Sequence, residues 1–174
     1  IANIPFVGTA STKGVEVDGM LRIGSVFSLS GSLTFASPEY RDFASVTGAS
    51  ADAILGNQIV REPKMYGHVT PTFDFELGPD TELQVYASYD FVGKRYVDVL
   101  NTTAMPAYGT FSAGINFTHN DWKVQLVGDN LTNAHGITEG NTRTDTLSGQ
   151  GTPTAIYGRP IFGRNFRLVL SKKW

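Results

Sequence analysis

The sequence predicts an all-β fold: an antiparallel up-and-down sheet with one elaborated rim. Three observations carry this. Period-2 alternation recurs in segment after segment, tight turns alternate with long polar loops, and the chain closes on a two-faced strand. Successive strand side chains point to opposite faces, so an apolar residue at every second position marks a sheet with two chemically different sides. Sustained helical periodicity is hard to find.

Taken in order, Val15, Val17, Gly19, Leu21 and Ile23 face one way and Glu16, Asp18, Met20 and Arg22 the other. Phe27, Leu29, Gly31, Leu33 and Phe35 alternate with Ser28, Ser30, Ser32 and Thr34. Met65, Val69, Phe73, Phe75 and Leu77 oppose Lys64, Tyr66, His68, Thr70, Thr72, Asp74 and Glu76. Leu83, Val85, Ala87, Tyr89 and Phe91 oppose Glu82, Gln84, Tyr86, Ser88 and Asp90. Phe111, Ala113, Ile115 and Phe117 oppose Thr110, Ser112, Gly114 and Asn116. Trp122, Val124 and Leu126 oppose Lys123, Gln125 and Asp129. In the last segment Phe166, Leu168 and Leu170 oppose Arg167, Val169 and Ser171, and the strand is expected to run to Trp174. This gives about seven strands, with residues 1–8 as the end of an eighth.

Gly24-Ser25, Gly78-Pro-Asp-Thr81 and His119-Asn-Asp121 have the residues of tight hairpin turns. Long polar loops are expected at about 38–63, 97–106 and 130–160. Short turns therefore fall on one edge of the sheet and long loops on the other, with Trp174 on the short-turn edge.

Composition narrows the function. Lys and Arg number 14 against 16 Asp and Glu, so a nucleic-acid partner has no electrostatic support. Cysteine is absent, which excludes disulfides and thiolate metal sites. No apolar run approaches the roughly 18 residues of a spanning helix, but spanning strands need only about 9–11. Alternation alone leaves two readings open: a soluble barrel or sandwich with its apolar face inside, and a membrane barrel with that face toward lipid. Lipid is favoured by the depth of charge on the polar faces, by strands beyond the usual five or six residues, and by aromatics near strand ends.

Four local patterns, in order, refine this. They are Lys13-Gly-Val-Glu-Val17, Arg61-Glu-Pro-Lys64, Val127-Gly-Asp-Asn-Leu-Thr-Asn133, and Gly158-Arg-Pro160 followed by Phe166–Trp174. Together they make residues 13–174 resemble the C-terminal third of the barrel of TonB-dependent outer-membrane receptors. The chain departs from the family pattern at Trp174, where Phe is usual, at Ile161, where Arg often follows the proline, and at Lys172 on the apolar face.

The resemblance implies that residues 1–174 are about the last 7–8 strands of a 22-stranded transmembrane barrel, with the plug domain and earlier strands outside this chain. It implies TonB-energised uptake of a scarce ligand, with ferric siderophore as the default and carbohydrate, cobalamin or peptide as other family ligands. It also implies a Gram-negative outer membrane, long loops extracellular and the C-terminus periplasmic. Expected partners are outer-membrane lipid and lipopolysaccharide, the TonB complex through the plug, the barrel-assembly machinery through the last strand, and the remaining strands of the same barrel. A complete small eight-stranded barrel with a structural or adhesion role is the alternative.

Candidate residues fall into three groups. Phe166, Leu168, Leu170 and Trp174 would form an assembly signal read by strand addition. Glu16, Asp18, Lys64, Asp74, Glu76, Glu82, Gln84, Asp90, Lys123, Gln125 and Arg167 would face a wet lumen and the plug. The 134–155 loop, through His135, Glu139, Arg143 and Asp145, would touch ligand at the mouth, and Tyr40, Arg41, Asp42 and Phe43 mark a similar loop. Loops this long are usually functional or disordered. His68, His119 and His135 stand far apart, so no metal or cofactor is expected. No nucleophile–base–orienter set stands out, so no enzyme is expected.

Overall fold

A computed structural model describes residues 8–43, 51–144 and 153–174. The strands are β1 (Gly8–Ile23), β2 (Phe27–Phe43), β3 (Met65–Gly78), β4 (Thr81–Val92), β5 (Arg95–Tyr96), β6 (Ala104–Met105), β7 (Tyr108–His119), β8 (Trp122–Asp129), β9 (Ile137–Thr144), β10 (Pro153–Pro160) and β11 (Asn165–Lys172). Seven of them form one antiparallel sheet in the order β1-β2-β3-β4-β7-β8-β11. Among the described residues β1 and β11 do not pair, so the sheet is open at both edges. These are the seven strands expected from the alternation.

The register joins the apolar residues into one continuous face. Val17 pairs Leu33, Leu33 pairs Gly67, and Gly67 pairs Phe91. Three levels on toward the short turns, Val85 pairs Ile115, Ile115 pairs Leu126 and Leu126 pairs Leu168. Most of this face is exposed, including Val15, Val17, Leu21, Phe35, Phe73, Phe117, Leu126, Leu168 and Leu170. Phe27 and Phe73, directly paired, bring their rings to 5.1 Å, as cross-strand aromatic pairs do. A soluble sheet would cover such a face; here no second layer lies on it among the described residues.

The turns are as short as their residues allow. Gly24 takes φ +64° between β1 and β2, a conformation that disfavours any Cβ. Asp80 (φ 53°) and Asn120 (φ 48°) close the other two hairpins, the left-handed role that Asp and Asn tolerate best.

Five expectations need correcting, and a sixth falls mostly outside the described residues. Gly8 opens β1 opposite Phe43, and residues 1–7, expected to end an eighth strand, lie outside the described residues. β2 runs on to Phe43, into the stretch expected as loop. The 97–106 loop is framed by the small β5–β6 ribbon, and the 130–160 loop contains the β9–β10 hairpin. His119 ends β7 and is not a turn residue. Finally β11 stops at Lys172, because its partner β8 begins at Trp122; one further bond runs from Lys173 N–H to the Asp121 carbonyl at 2.9 Å.

The buried core lies at the long-loop edge of the sheet, among the long connections and the end of β2. Tyr40, Ile54, Val97 and Met105 are its apolar members, and Gln58, Arg95 and Asn130 its polar ones. The sheet is a wall, and this cluster is a cap at its long-loop edge.

Candidate functional site

Two surfaces can act on something outside the chain: the polar face of the wall and the cap. On the wall, the register places Glu16, Asp18, Asp74, Glu76, Glu82, Gln84, Asp90, Lys123, Gln125 and Arg167 on one side of the sheet, opposite the apolar face. Lys64 stands just before β3, where its carbonyl accepts from Ala36 N–H at 2.8 Å.

A ladder of amides crosses four strands on this face. Gln84 Nε2 donates to Asp74 Oδ1, Asn116 Nδ2 to Gln84 Oε1, and Gln125 Nε2 to Asn116 Oδ1, each at 2.8 Å. Every donor points the same way, toward the carboxylate that ends the row. Beside the ladder, at the short-turn edge, a cleft of about 570 Å³ is lined by Arg22, Glu76, Glu82 and Lys123 among others. Glu76 and Glu82 sit directly opposite one another, an unfavourable pairing unless cations lie close.

Ser32 Oγ lies 3.0 Å from His68 Nδ1, two residues 36 positions apart in sequence, and Asp90 is the next residue along the row. The Asp90 carboxylate, however, accepts from Ser88 Oγ at 3.1 Å and makes no bond to the imidazole. A triad base needs its second ring nitrogen held by such a partner.

The cap joins three connections through side chains whose importance the sequence hides. Gln58 and Asn101 clasp each other: Gln58 N–H donates to Asn101 Oδ1 at 2.8 Å, and Asn101 Nδ2 to the Gln58 carbonyl at 2.9 Å. Gln58 Nε2 reaches the carbonyls of Glu62 and Lys94. Arg95, only 7% exposed, donates to the carbonyls of Thr138 and Ile137 at 2.8 and 2.5 Å and lies 5.8 Å from the Tyr108 ring. It thereby ties the β9–β10 hairpin to the β5–β6 ribbon. Gly140 makes room for this docking, since a Cβ there would lie 2.7 Å from Val97 and 3.2 Å from Met105 Sδ.

Asn130 pins the base of the same connection. Its side chain exchanges hydrogen bonds with the main chain of Ala134 and donates to the Phe162 carbonyl at 3.0 Å. Asp98 braces the 95–105 turn. Burial raises its pKa, but main-chain N–H bonds from Thr102, Thr103 and Leu100 and the Thr102 side chain outweigh that, holding the carboxyl below its ordinary value.

The ligand-contact residues expected in the loops are only partly brought together. Glu139 forms ion pairs with Arg61 and Arg159, both at 3.6 Å, and Arg61 also bonds Asn141, so this carboxylate helps fasten the hairpin. His135 lines a separate small cleft with Pro106, Ile137 and Pro160. Arg143 stands opposite Ala155 in the hairpin, and Asp145 lies outside the described residues. Tyr40 is 4% exposed, so it packs within the cap and is not presented at a mouth; Arg41 pairs with Glu39 at 2.8 Å, and Asp42 stands opposite Thr9 in β2, as Phe43 does opposite Gly8. Phe166, Leu168 and Leu170 stand on the exposed apolar face, and Trp174 is fully exposed beyond β11. Among the described residues no group of acidic residues or histidines is arranged to hold a metal ion.

A family model described as TonB dependent receptor-like, beta-barrel matches residues 1–131. No curated protein sequence matches the chain at a significant level. Among solved structures it is similar to the siderophore receptor PiuA from Acinetobacter baumannii, with a TM-score of 0.76 and 22% identity over 97% of this chain and 22% of that one. It is also similar to the ferric yersiniabactin uptake receptor FyuA from Yersinia pestis, with a TM-score of 0.72 and 17% identity over 94% of this chain and 23% of that one. The ferric preacinetobactin receptor BauA from Acinetobacter baumannii follows, with a TM-score of 0.66 and 20% identity over 95% and 22%. The chain thus spans about a fifth of the length of these structures.

Proposed function

The chain belongs to the TonB-dependent receptor β-barrel family, and from that premise we propose that it is the last part of the barrel wall of an outer-membrane uptake receptor in a Gram-negative bacterium. The apolar face meets lipid, the polar face meets a hydrated lumen and the plug, and the cap stands at the extracellular mouth. The ligand is a ferric siderophore, taken up at the expense of energy delivered by the TonB complex. The remaining strands of the barrel pair with the free edges of β1 and β11.

The observation that carries this reading is the open wall itself. One exposed apolar face backs a polar face with an amide ladder, and elaborate connections occupy one edge only. That is how a barrel wall divides lipid from water. The siderophore assignment is supported by what the three similar structures are described as carrying. Lumen charges then hydrate the wall and bond the plug without any covalent step.

Deleting the gene for the full-length receptor should abolish growth on one ferric siderophore under iron starvation. Complementation should restore it. Undiminished use of every ferric siderophore, with loss of cobalamin or oligosaccharide uptake, would remove the iron assignment and leave the receptor reading standing.

A further inference from the structure

The chemistry of the apolar face changes within one rung of the sheet. Along β4, β7, β8 and β11 the row Leu83–Phe117–Val124–Leu170 is wholly apolar. The next row toward the short turns is Thr81–His119–Trp122–Lys172, in which every side chain carries a nitrogen or oxygen. Thr81 Oγ1 and His119 Nδ1 are 2.8 Å apart. Lys172 Nζ lies 5.1 Å from the Trp122 ring centroid and 4.6 Å from that of Trp174. Among the described residues no carboxylate pairs with this ammonium.

A cation at this height would be costly in hydrocarbon, yet it is held where the hydrocarbon face ends. The two indoles limit its freedom, attract it through their ring faces, and leave its N–H donors unused. Indole rings favour the headgroup level of a bilayer, and lysine stems reach toward it from apolar surface. A positive donor fixed between two such rings complements a phosphate, and its place on the lipid-facing side selects phosphate carried by a lipid.

We propose that the Thr81–His119–Trp122–Lys172 rung, with Trp174, is a binding site for the headgroup of one anionic phospholipid in the periplasmic leaflet. Lys172 Nζ donates to the phosphate, the indoles flank the glycerol region, and the acyl chains run along Val124 and Leu170. The proposal rests on the wall spanning a membrane, but not on which ligand the receptor carries.

The test uses the full-length receptor, purified in mild detergent, with retained lipid counted by native mass spectrometry after exchange into phosphatidylcholine or phosphatidylglycerol micelles. Wild type should retain phosphatidylglycerol over phosphatidylcholine, and Lys172→Arg should do the same. Lys172→Leu, which suits the apolar face, should bind phosphatidylglycerol about fivefold more weakly, the factor expected for one basic residue at an anionic membrane surface. Lys172→Gln provides the same measurement should the leucine variant fail to show a heat-modifiable folded band. Equal phosphatidylglycerol retention by wild type and the charge-free variant, or no preference over phosphatidylcholine in wild type, overturns the proposal. Siderophore uptake should be unchanged throughout, which separates this result from failure of the receptor reading.

Discussion

Leu126 in the wall lies between Ile115 and Leu168 and is nearly half exposed, whereas Ile54 in the cap has no exposed surface at all. Both are aliphatic, and both sit beside other apolar residues. On the proposed membrane reading, the wall leaves its apolar side chains on one face for lipid to cover, so it needs no interior of its own. The cap projects beyond the strands and must exclude water by itself, which is why the buried residues gather there. A chain of this kind divides its hydrophobic residues between two solvents, and their exposure reports which solvent each was fitted to.

Substitution at these two positions breaks the comparison most directly. Ile54→Ala should destabilise the cap by about 2–5 kcal/mol, the usual cost of truncating a fully buried aliphatic. Hydrogen exchange should then speed up across residues 51–62 and 95–105 while the strand amides stay protected. Equal loss of protection in the wall would mean that cap and wall are one cooperative unit. Leu126→Arg should cost about 2–4 kcal/mol of folding into bilayers, since it puts a cation on the lipid face near its middle. Folding efficiency into vesicles would measure it, and a negligible effect would return the wall to the soluble-barrel reading.

The smallest effect concerns Asp98. Its folded pKa is depressed, so its contribution is complete above the ordinary carboxylate range and is lost as pH falls through the depressed value. Amide protection of Thr102 and Thr103 should therefore be flat at neutral pH and drop in acid, by on the order of 1 kcal/mol. Asp98→Asn should remove that acid limb and leave the wall unaffected.

The wall was legible in the sequence because its signal is periodic. Leu83, Val85 and Ala87 against Glu82, Gln84 and Tyr86 states both the strand and its faces, and one slip would exchange the two sides. The cap was not, because its organising residues carry no period. Gln58, Arg95 and Asn101 act through main-chain carbonyls and N–H groups far away in sequence. Nothing in Lys94-Arg-Tyr96 distinguishes a buried arginine from a solvated one. The β9–β10 hairpin was missed for a related reason: Thr138, Gly140, Thr142 and Thr144 alternate with Glu139, Asn141 and Arg143, so both faces are polar or small and the alternation is invisible to hydropathy. The charge of Glu139 is legible in the sequence, but its engagement by Arg61 and Arg159 is not.

The amide ladder from Asp74 to Gln125 has a mechanical meaning. Its three side-chain bonds run around the circumference, at right angles to the strands, and supplement the main-chain bonds at one height. Sliding any one of the four strands by a residue would break its part of this hoop and turn an amide or a carboxylate toward the apolar face. The wall is therefore stiff in shear along the strands at that level, as a band around a cask holds its staves.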